Sequence, residues 1–258
     1  MLYQELAELY KQLESTTKRL EKTEILSKFL KKLSNEDKDV MYLLIGRIYP
    51  EGNEKEIGIS NQTTLKAISK SSGVVDSKVL EMWKKIGDLG KVAEELSKQK
   101  KQTTLSLSSK LTTQKVLENL RKLPELEGKG MVDKKLSIIT ELLSSASPIE
   151  AKYLIRTLIG DLRIGIQEST IREALAKAFF ENLKEAPEKI QEAIDKSNDT
   201  AEVFDYCRKK SIKELEKISM QIGKPIKAML AQKVSTIKEG FEALGKPCAL
   251  EYKYDGFR

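Results

Sequence analysis

The sequence predicts a mainly α fold: an all-helical domain over residues 1–221, a linker over 222–232, and a short α/β start of a second domain over 233–258. Three observations carry this reading. Apolar residues recur at helical spacing through the first 221 positions, several helix starts are spelled out as capping sequences, and no sustained apolar–polar alternation precedes residue 246.

The elements follow in order. Ile25, Leu26, Phe29, Leu30 and Leu33 form the i, i+3, i+4, i+7 stripe of an amphipathic helix. Ser34 and Asp37 have capping-box spacing, so another helix opens there. Residues 97–113, with Lys98-Gln99-Lys100-Lys101-Gln102-Thr103-Thr104-Leu105 near their start, are polar and read as an exposed loop. Residues 125–130 read as a plain glycine turn. Ser147-Pro148-Ile149-Glu150 combines an N-cap serine, a first-turn proline and an acid at the third position. Ile171, Ala174, Leu175, Ala178 and Phe179 mark a further buried face, and Asp199 to Glu202 and Ser211 to Glu214 open two more helices. Gly223 and the residue before Pro225 disfavour helix and begin the linker. Beyond it, 236–244 reads as one short helix, Gly245-Lys246-Pro247 as a turn and 248–253 as a strand.

The helical region contains a faint internal repeat. Leu44-Ile45-Gly46, Ile57-Gly58-Ile59-Ser60 and Thr64-Leu65-Lys66-Ala67 are echoed by Leu158-Ile159-Gly160, Ile164-Gly165-Ile166-Gln167 and Thr170-Ile171-Arg172-Glu173-Ala174. Each copy reads as a helix, a glycine turn and the start of another helix. Glycine lets backbone approach a ligand, and a helix N-terminus offers N–H groups to an anion. The copies therefore read either as two phosphate-gripping corners or as ordinary glycine helix ends.

Composition narrows the chemistry. The 258 residues include no histidine, which excludes a Ser-His-Asp triad, a Cys-His dyad and imidazole metal ligation. Cys207 and Cys248 lack a CxxC companion and read as buried thiols of a reducing compartment, with no metal site. No apolar run approaches the ~20 residues of a membrane span, and Met1-Leu2-Tyr3-Gln4-Glu5 does not read as a signal peptide. The expectation is a soluble, cytoplasmic protein with no membrane partner.

A net charge of +7 favours a polyanionic partner. Only eight of the 46 basic residues are arginine, and Arg156, Arg163 and Arg172 fall within one 17-residue window. Guanidinium suits forked hydrogen bonding to phosphate. Together with the corners, this marks Arg156, Arg163, Gly165, Gln167, Thr170, Arg172, Gly58 and Ser60 as candidate polyanion contacts.

The last eight residues, Glu251-Tyr252-Lys253-Tyr254-Asp255-Gly256-Phe257-Arg258, place a lysine, two carboxylates, a glycine and an arginine at the spacing of a nucleotidyl-transfer site. As a bare pattern Lys-x-Asp-Gly also describes a solvated turn. A lysine amine titrates near about 10.4, so attack on phosphorus requires burial or nearby positive charge to favour the neutral form.

This segment resembles the first signature motif of the covalent nucleotidyltransferases, in the form found in ATP-dependent DNA ligases. Met41-Tyr42-Leu43-Leu44-Ile45-Gly46-Arg47-Ile48-Tyr49-Pro50, Gly87-Asp88-Leu89-Gly90, Arg156-Thr157-Leu158-Ile159-Gly160-Asp161-Leu162-Arg163-Ile164-Gly165 and Pro225-Ile226-Lys227-Ala228-Met229-Leu230-Ala231 extend the resemblance, across the chain, to the archaeal-type replicative DNA ligases. It implies an all-helical DNA-binding domain with pseudo-two-fold symmetry that grips nicked double-stranded DNA. It further implies that Lys253 is the adenylated lysine, that Glu251 contacts the adenosine and that Arg258 contacts the nucleotide and later the nick. Asp255 and Gly256 would shape the turn, and ATP and Mg2+ would serve the full-length enzyme in replication, repair and recombination. Relatives often carry a sliding-clamp motif in the loop near Gln102, where this chain has Gln102 and Leu105 without the usual aromatic pair. The family's later motifs and OB-fold lie outside this sequence, so the expectation is a polypeptide that binds DNA without ligating. Capping guanylyltransferases and RNA ligases share the lysine motif but lack this helical domain. A non-catalytic helical module that binds DNA or proteins is the other alternative.

Overall fold

The computed structural model describes residues 1–53, 55, 57–98, 110–128, 130–226 and 233–252. The chain divides into two compact units, Met1–Ile226 and Lys227–Arg258. The first unit is built from α1 (Tyr3–Glu14), α2 (Arg19–Leu30), α3 (Val40–Leu44), α4 (Asn61–Ser72), α5 (Asp76–Ile86), α6 (Leu89–Lys98), α7 (Thr113–Lys122), α8 (Met131–Ser145), α9 (Pro148–Ile159), α10 (Glu168–Phe179), α11 (Ala186–Ser197), α12 (Thr200–Cys207) and α13 (Ile212–Leu215).

The capping sequences set several of these starts. The Ser147 N–H donates to Glu150 Oε2 at 2.7 Å ahead of α9. Asp199 Oδ1 accepts the Ala201 and Glu202 N–H groups at 3.0 and 3.1 Å, which opens α12. The Ser34 box opens only a short 3-10 turn, Asn35–Asp37, ahead of α3.

Pairing of apolar stripes builds the core. Helix α6 lies along α9, α10 along α2 and α4 along α8. Leu26, Phe29 and Leu30 of α2 are buried, as are Ile171, Ala174, Leu175 and Ala178 of α10. Each fully buried leucine stabilises the fold by about 2 kcal/mol relative to exposure. Gly90 brings α6 close to α9: a Cβ there would lie 2.7 Å from the Lys152 carbonyl oxygen and 2.8 Å from Arg156 Cγ.

Three expectations need correction. Ser97 and Lys98 continue α6, and Leu111 is buried, so the 97–113 stretch is not loop throughout. The Tyr3 N–H donates to Leu111 O at 2.8 Å and the Thr113 N–H to Met1 O at 3.1 Å, so the chain docks beside α1 before entering α7. Gln102 and Leu105 lie outside the described residues. Cys207 is fully buried, and burial pushes its thiol up, whereas Cys248 is only half-buried.

The third correction concerns the second unit. Its helix α14 (Ile237–Leu244) is capped as read, with Thr236 Oγ1 accepting the Glu239 N–H at 3.2 Å. Residues 248–252 are irregular rather than a strand, with Leu250 and Tyr252 84% and 86% exposed. A strand needs a neighbour to take its backbone groups, and no strand occurs among the described residues.

Candidate nucleic-acid interface

Two chain reversals in the helical unit share one hydrogen-bond design. After α3, the N–H of Gly46 (φ +72°) donates to Leu43 O at 3.0 Å and that of Arg47 to Tyr42 O at 2.9 Å. After α9, the N–H of Gly160 (φ +78°) donates to Thr157 O at 3.1 Å and that of Asp161 to Arg156 O at 3.0 Å. These return bonds satisfy the last helical carbonyls, and a left-handed turn costs any residue with a Cβ about 1–2 kcal/mol. Each path then meets a second left-handed glycine, Gly58 (φ +59°) or Gly165 (φ +61°), two positions before an N-cap. The N-caps are Ser60 for α4 and Gln167 for α10.

The reversals are neighbours. A Cβ on Gly46 would sit 3.3 Å from the Leu162 side chain. Gly46, Gly58, Ser60 and Gly160 border one open cleft of about 1030 Å3, together with Arg47, Tyr49 and Lys55. Gly165 and Gln167 lie outside its lining. Gly58, Ser60, Gly165 and Gln167 are all exposed.

Different side chains anchor the two turns. At the first, Arg121 Nε donates to Ile48 O at 2.9 Å, its Nη1 meets Asp39 Oδ2 at 2.8 Å, and its guanidinium lies 5.4 Å from the Tyr49 ring centre. At the second, Lys22 Nζ reaches from α2 and donates to Ile164 O at 2.6 Å and Gly165 O at 2.9 Å. Lys22 is only 6% exposed, and burial lowers its pKa. The helix ends differ too. Ser60 Oγ accepts the Thr63 N–H at 3.2 Å, whereas Gln167 makes no side-chain cap bond.

Arg163 occupies the second turn with φ +55°, a conformation unfavourable for a side-chain-bearing residue. Its Nε donates to Asp161 Oδ2 at 2.7 Å and its Nη1 lies 3.4 Å from Gly87 O and 3.6 Å from Asp88 Oδ2. The side chain is 48% exposed, so it remains open to an anion. These acidic partners raise its pKa, Asp161 most of all.

Arg156, taken from the sequence as a phosphate contact, is an internal strut instead. It is 2% exposed, with Nη2 donating to Asp88 Oδ2 at 2.6 Å and to Glu14 Oε1 at 3.1 Å. Its Nη1 donates to Glu14 Oε2 at 3.0 Å and Leu162 O at 3.2 Å. Lys152 Nζ and the Tyr153 hydroxyl complete the cluster on Glu14 at 2.8 and 2.7 Å. Burial opposes ionisation of Glu14, yet hydrogen bonds from Arg156, Lys152 and Tyr153 hold its pKa down at about 2. Asp88 is likewise lowered: burial raises it, but Arg156 overrides that. The burial cost of a guanidinium is met by two carboxylates, and its Nε, which has no partner among the described residues, is itself buried, so no part of the group is open to a ligand phosphate.

Two further residues turn away from the surface. Thr170 is buried, and Arg172 is half-buried with Nη1 held by Gln191 Oε1 at 2.9 Å. The structure thus brings Arg163, Gly165 and Gln167 to one exposed turn and Gly58 and Ser60 to the other. Glu251 is exposed, and Lys253, Asp255, Gly256 and Arg258 lie outside the described residues. Lys22, Glu14 and Asp88 escaped sequence reasoning. One signal was present: Lys22, Ile25, Leu26 and Phe29 stand at i, i+3, i+4 and i+7, which puts a lysine on the apolar stripe.

No helix among the described residues is long and apolar enough to cross a membrane. Residues 2–176 match the family described as DNA ligase N terminus. The DNA ligase of Nanoarchaeum equitans (strain Kin4-M) is 36% identical over 258 residues, covering all of this chain and 45% of that protein. The DNA ligase of Nitrosopumilus maritimus (strain SCM1) is 39% identical over 254 residues, 98% of this chain and 43% of its own length. That of Methanothermobacter thermautotrophicus is 39% identical over 259 residues, again with full coverage here and 45% there. The chain therefore spans somewhat under half the length of the curated relatives it matches. With a helical unit of this design and a family match over more than half its residues, the chain belongs to the DNA ligase N-terminus family.

Proposed function

We propose that the helical unit binds the duplex of nicked DNA and that the chain is the N-terminal part of an ATP-dependent DNA ligase. The observation that carries the reading is the pair of like-built glycine turns beside one cleft, with Arg163 exposed on the second. Such turns let backbone approach a phosphate, and the net charge of +7 draws the protein to a polyanion. The two turns are read as copies of one duplicated unit, and the relatives in this family are ligases by name.

In the complete ligase, Lys253 would attack the α-phosphate of ATP, forming a lysyl–AMP bond as the α–β anhydride bond breaks and pyrophosphate leaves, with Glu251 and Arg258 holding the nucleotide. The 5′-phosphate of the nick would then take the AMP and free Lys253, and the neighbouring 3′-hydroxyl would attack that phosphate and release AMP; Mg2+, when bound, would supply positive charge to offset the phosphates. The same reading gives the enzyme a cytoplasmic role in replication, repair and recombination, and the segment around Gln102 and Leu105 is where a sliding clamp would be met.

Binding of the 258-residue chain to nicked duplex DNA tests this. Affinity is expected to fall with salt at a log–log slope of about −0.9 for each phosphate neutralised. Failure to bind at low salt would overturn the reading.

A further inference from the structure

The second turn contains a group that the DNA reading does not use directly. Lys22 is a buried ammonium, and no carboxylate pairs with it among the described residues. The nearby acids are engaged elsewhere, Glu173 by Arg19 and Glu24 by Lys177 and Lys28. An unpaired buried charge is costly, so its two carbonyl contacts must compensate for lost water. Those carbonyls belong to Ile164 and Gly165, at the left-handed glycine that precedes α10.

A planar trans peptide points its N–H opposite its C=O. Drawing the Ile164 carbonyl inward to Lys22 turns the Gly165 N–H outward, and drawing the Gly165 carbonyl inward does the same for Ile166. Among the described residues no acceptor takes either N–H. Successive outward N–H groups in a left-handed turn make a concave anion seat. Arg163, two positions before Gly165, is exposed beside it.

We propose that Lys22 is a positioning residue for phosphate binding: its amine pins two carbonyls inward and so presents the Gly165 and Ile166 N–H groups to a backbone phosphate of the DNA. The bound phosphate supplies the negative charge that Lys22 lacks in the free protein. Gly165 fits the same device, since a Cβ there would lie 2.6 Å from Lys22 Nζ. The proposal rests on the DNA reading above and adds the internal residue that shapes the contact.

Two measurements on the 258-residue chain test it. In amide proton–nitrogen spectra of the wild-type protein, nicked duplex DNA should move the Gly165 and Ile166 amide protons downfield, while Gly73 stays in place. Movement elsewhere with Gly165 and Ile166 unmoved sinks the Lys22 proposal and spares DNA binding; no movement anywhere sinks both. Lys22→Met should bind the duplex roughly tenfold more weakly, the scale of losing hydrogen bonds to a charged group, with its salt slope unchanged. Affinity within twofold of wild type contradicts the proposal. So does a slope shallower by about one unit, because that would mean Lys22 itself meets a phosphate. If Lys22→Met fails to fold, the wild-type amide shifts decide alone.

Discussion

The turn after α3 and the turn after α9 use the same two return bonds and the same left-handed glycine pair, but they are held differently. The first is closed on itself: Arg121 ties Ile48 to Asp39, Tyr49 leans on that guanidinium, and Ser60 caps the next helix. The second is held from behind, by Lys22 on its carbonyls and by Arg156 on Leu162, so its outer side carries an exposed Arg163 and an N-cap without a side-chain bond. Similar backbone is therefore braced by different side chains, Arg121 and Ser60 at the first corner and Lys22 and Arg156 at the second. The Gly58 and Ile59 N–H groups of the first and the Gly165 and Ile166 N–H groups of the second all lack an acceptor among the described residues, but only the second has its carbonyls pinned from behind by a buried amine.

The largest expected effect breaks the rear support. Arg156→Ala leaves Asp88 and Glu14 facing one another without their shared cation, and denaturant unfolding should show a loss of about 3–5 kcal/mol. A loss below about 1 kcal/mol would show that the cluster does not anchor the second turn. The same cluster sets an acid limit. Glu14 titrates near 2 in the folded chain against an ordinary 4.5, so its contribution is complete above about 4.5 and fades as pH falls toward 2. Thermal unfolding across that range should show this acid-sensitive component in wild type and a smaller one in Arg156→Ala.

The glycines offer a finer comparison. Gly46→Ala and Gly160→Ala both force alanine into a left-handed turn, at about 1–2 kcal/mol each. Gly46 should cost more, because its added methyl meets Leu162 at 3.3 Å whereas Gly160 has nothing within 4 Å. Equal losses in chemical denaturation would mean that Leu162 gives way freely. Smallest is the cap: Ser60→Ala should cost about 1 kcal/mol in thermal unfolding and Gln167→Ala close to none. A cost at Gln167 equal to that at Ser60 would mean that the two helix starts are capped alike.

Much of the helical unit was legible because its signals are local. Ser147-Pro148-Ile149-Glu150, Asp199 to Glu202 and the stripe on α2 each lie within a few positions, and periodicity alone reads them. The glycine turns were legible for the same reason. Arg156 was misread because its role depends on Glu14 and Asp88, which are 142 and 68 residues away. Its setting, Tyr153-Leu154-Ile155-Arg156-Thr157-Leu158, was the available clue: an arginine inside an apolar helical run is buried and paired. Lys22 was hidden by charged neighbours, although Leu20, 81% exposed, and Lys22, 6% exposed, have exchanged their customary places. The strand read at 248–253 shows the opposite limit. Residue pattern favours an extended chain there, but a strand also requires a partner strand, which no local pattern supplies.

The most direct test of the two-corner account is the salt dependence of nicked-duplex binding by wild type, Arg163→Ala and Arg47→Ala. Arg163 lies on the corner pinned by Lys22 and is paired with Asp161 at 2.7 Å, and Arg47, on the corner braced by Arg121, is paired with Glu51 at 3.0 Å. The account predicts that Arg163→Ala makes the log–log slope shallower by about 0.9, one phosphate contact, while Arg47→Ala leaves it within error of wild type. A shallower slope in Arg47→Ala with none in Arg163→Ala would place the phosphate grip on the other corner and contradict the account.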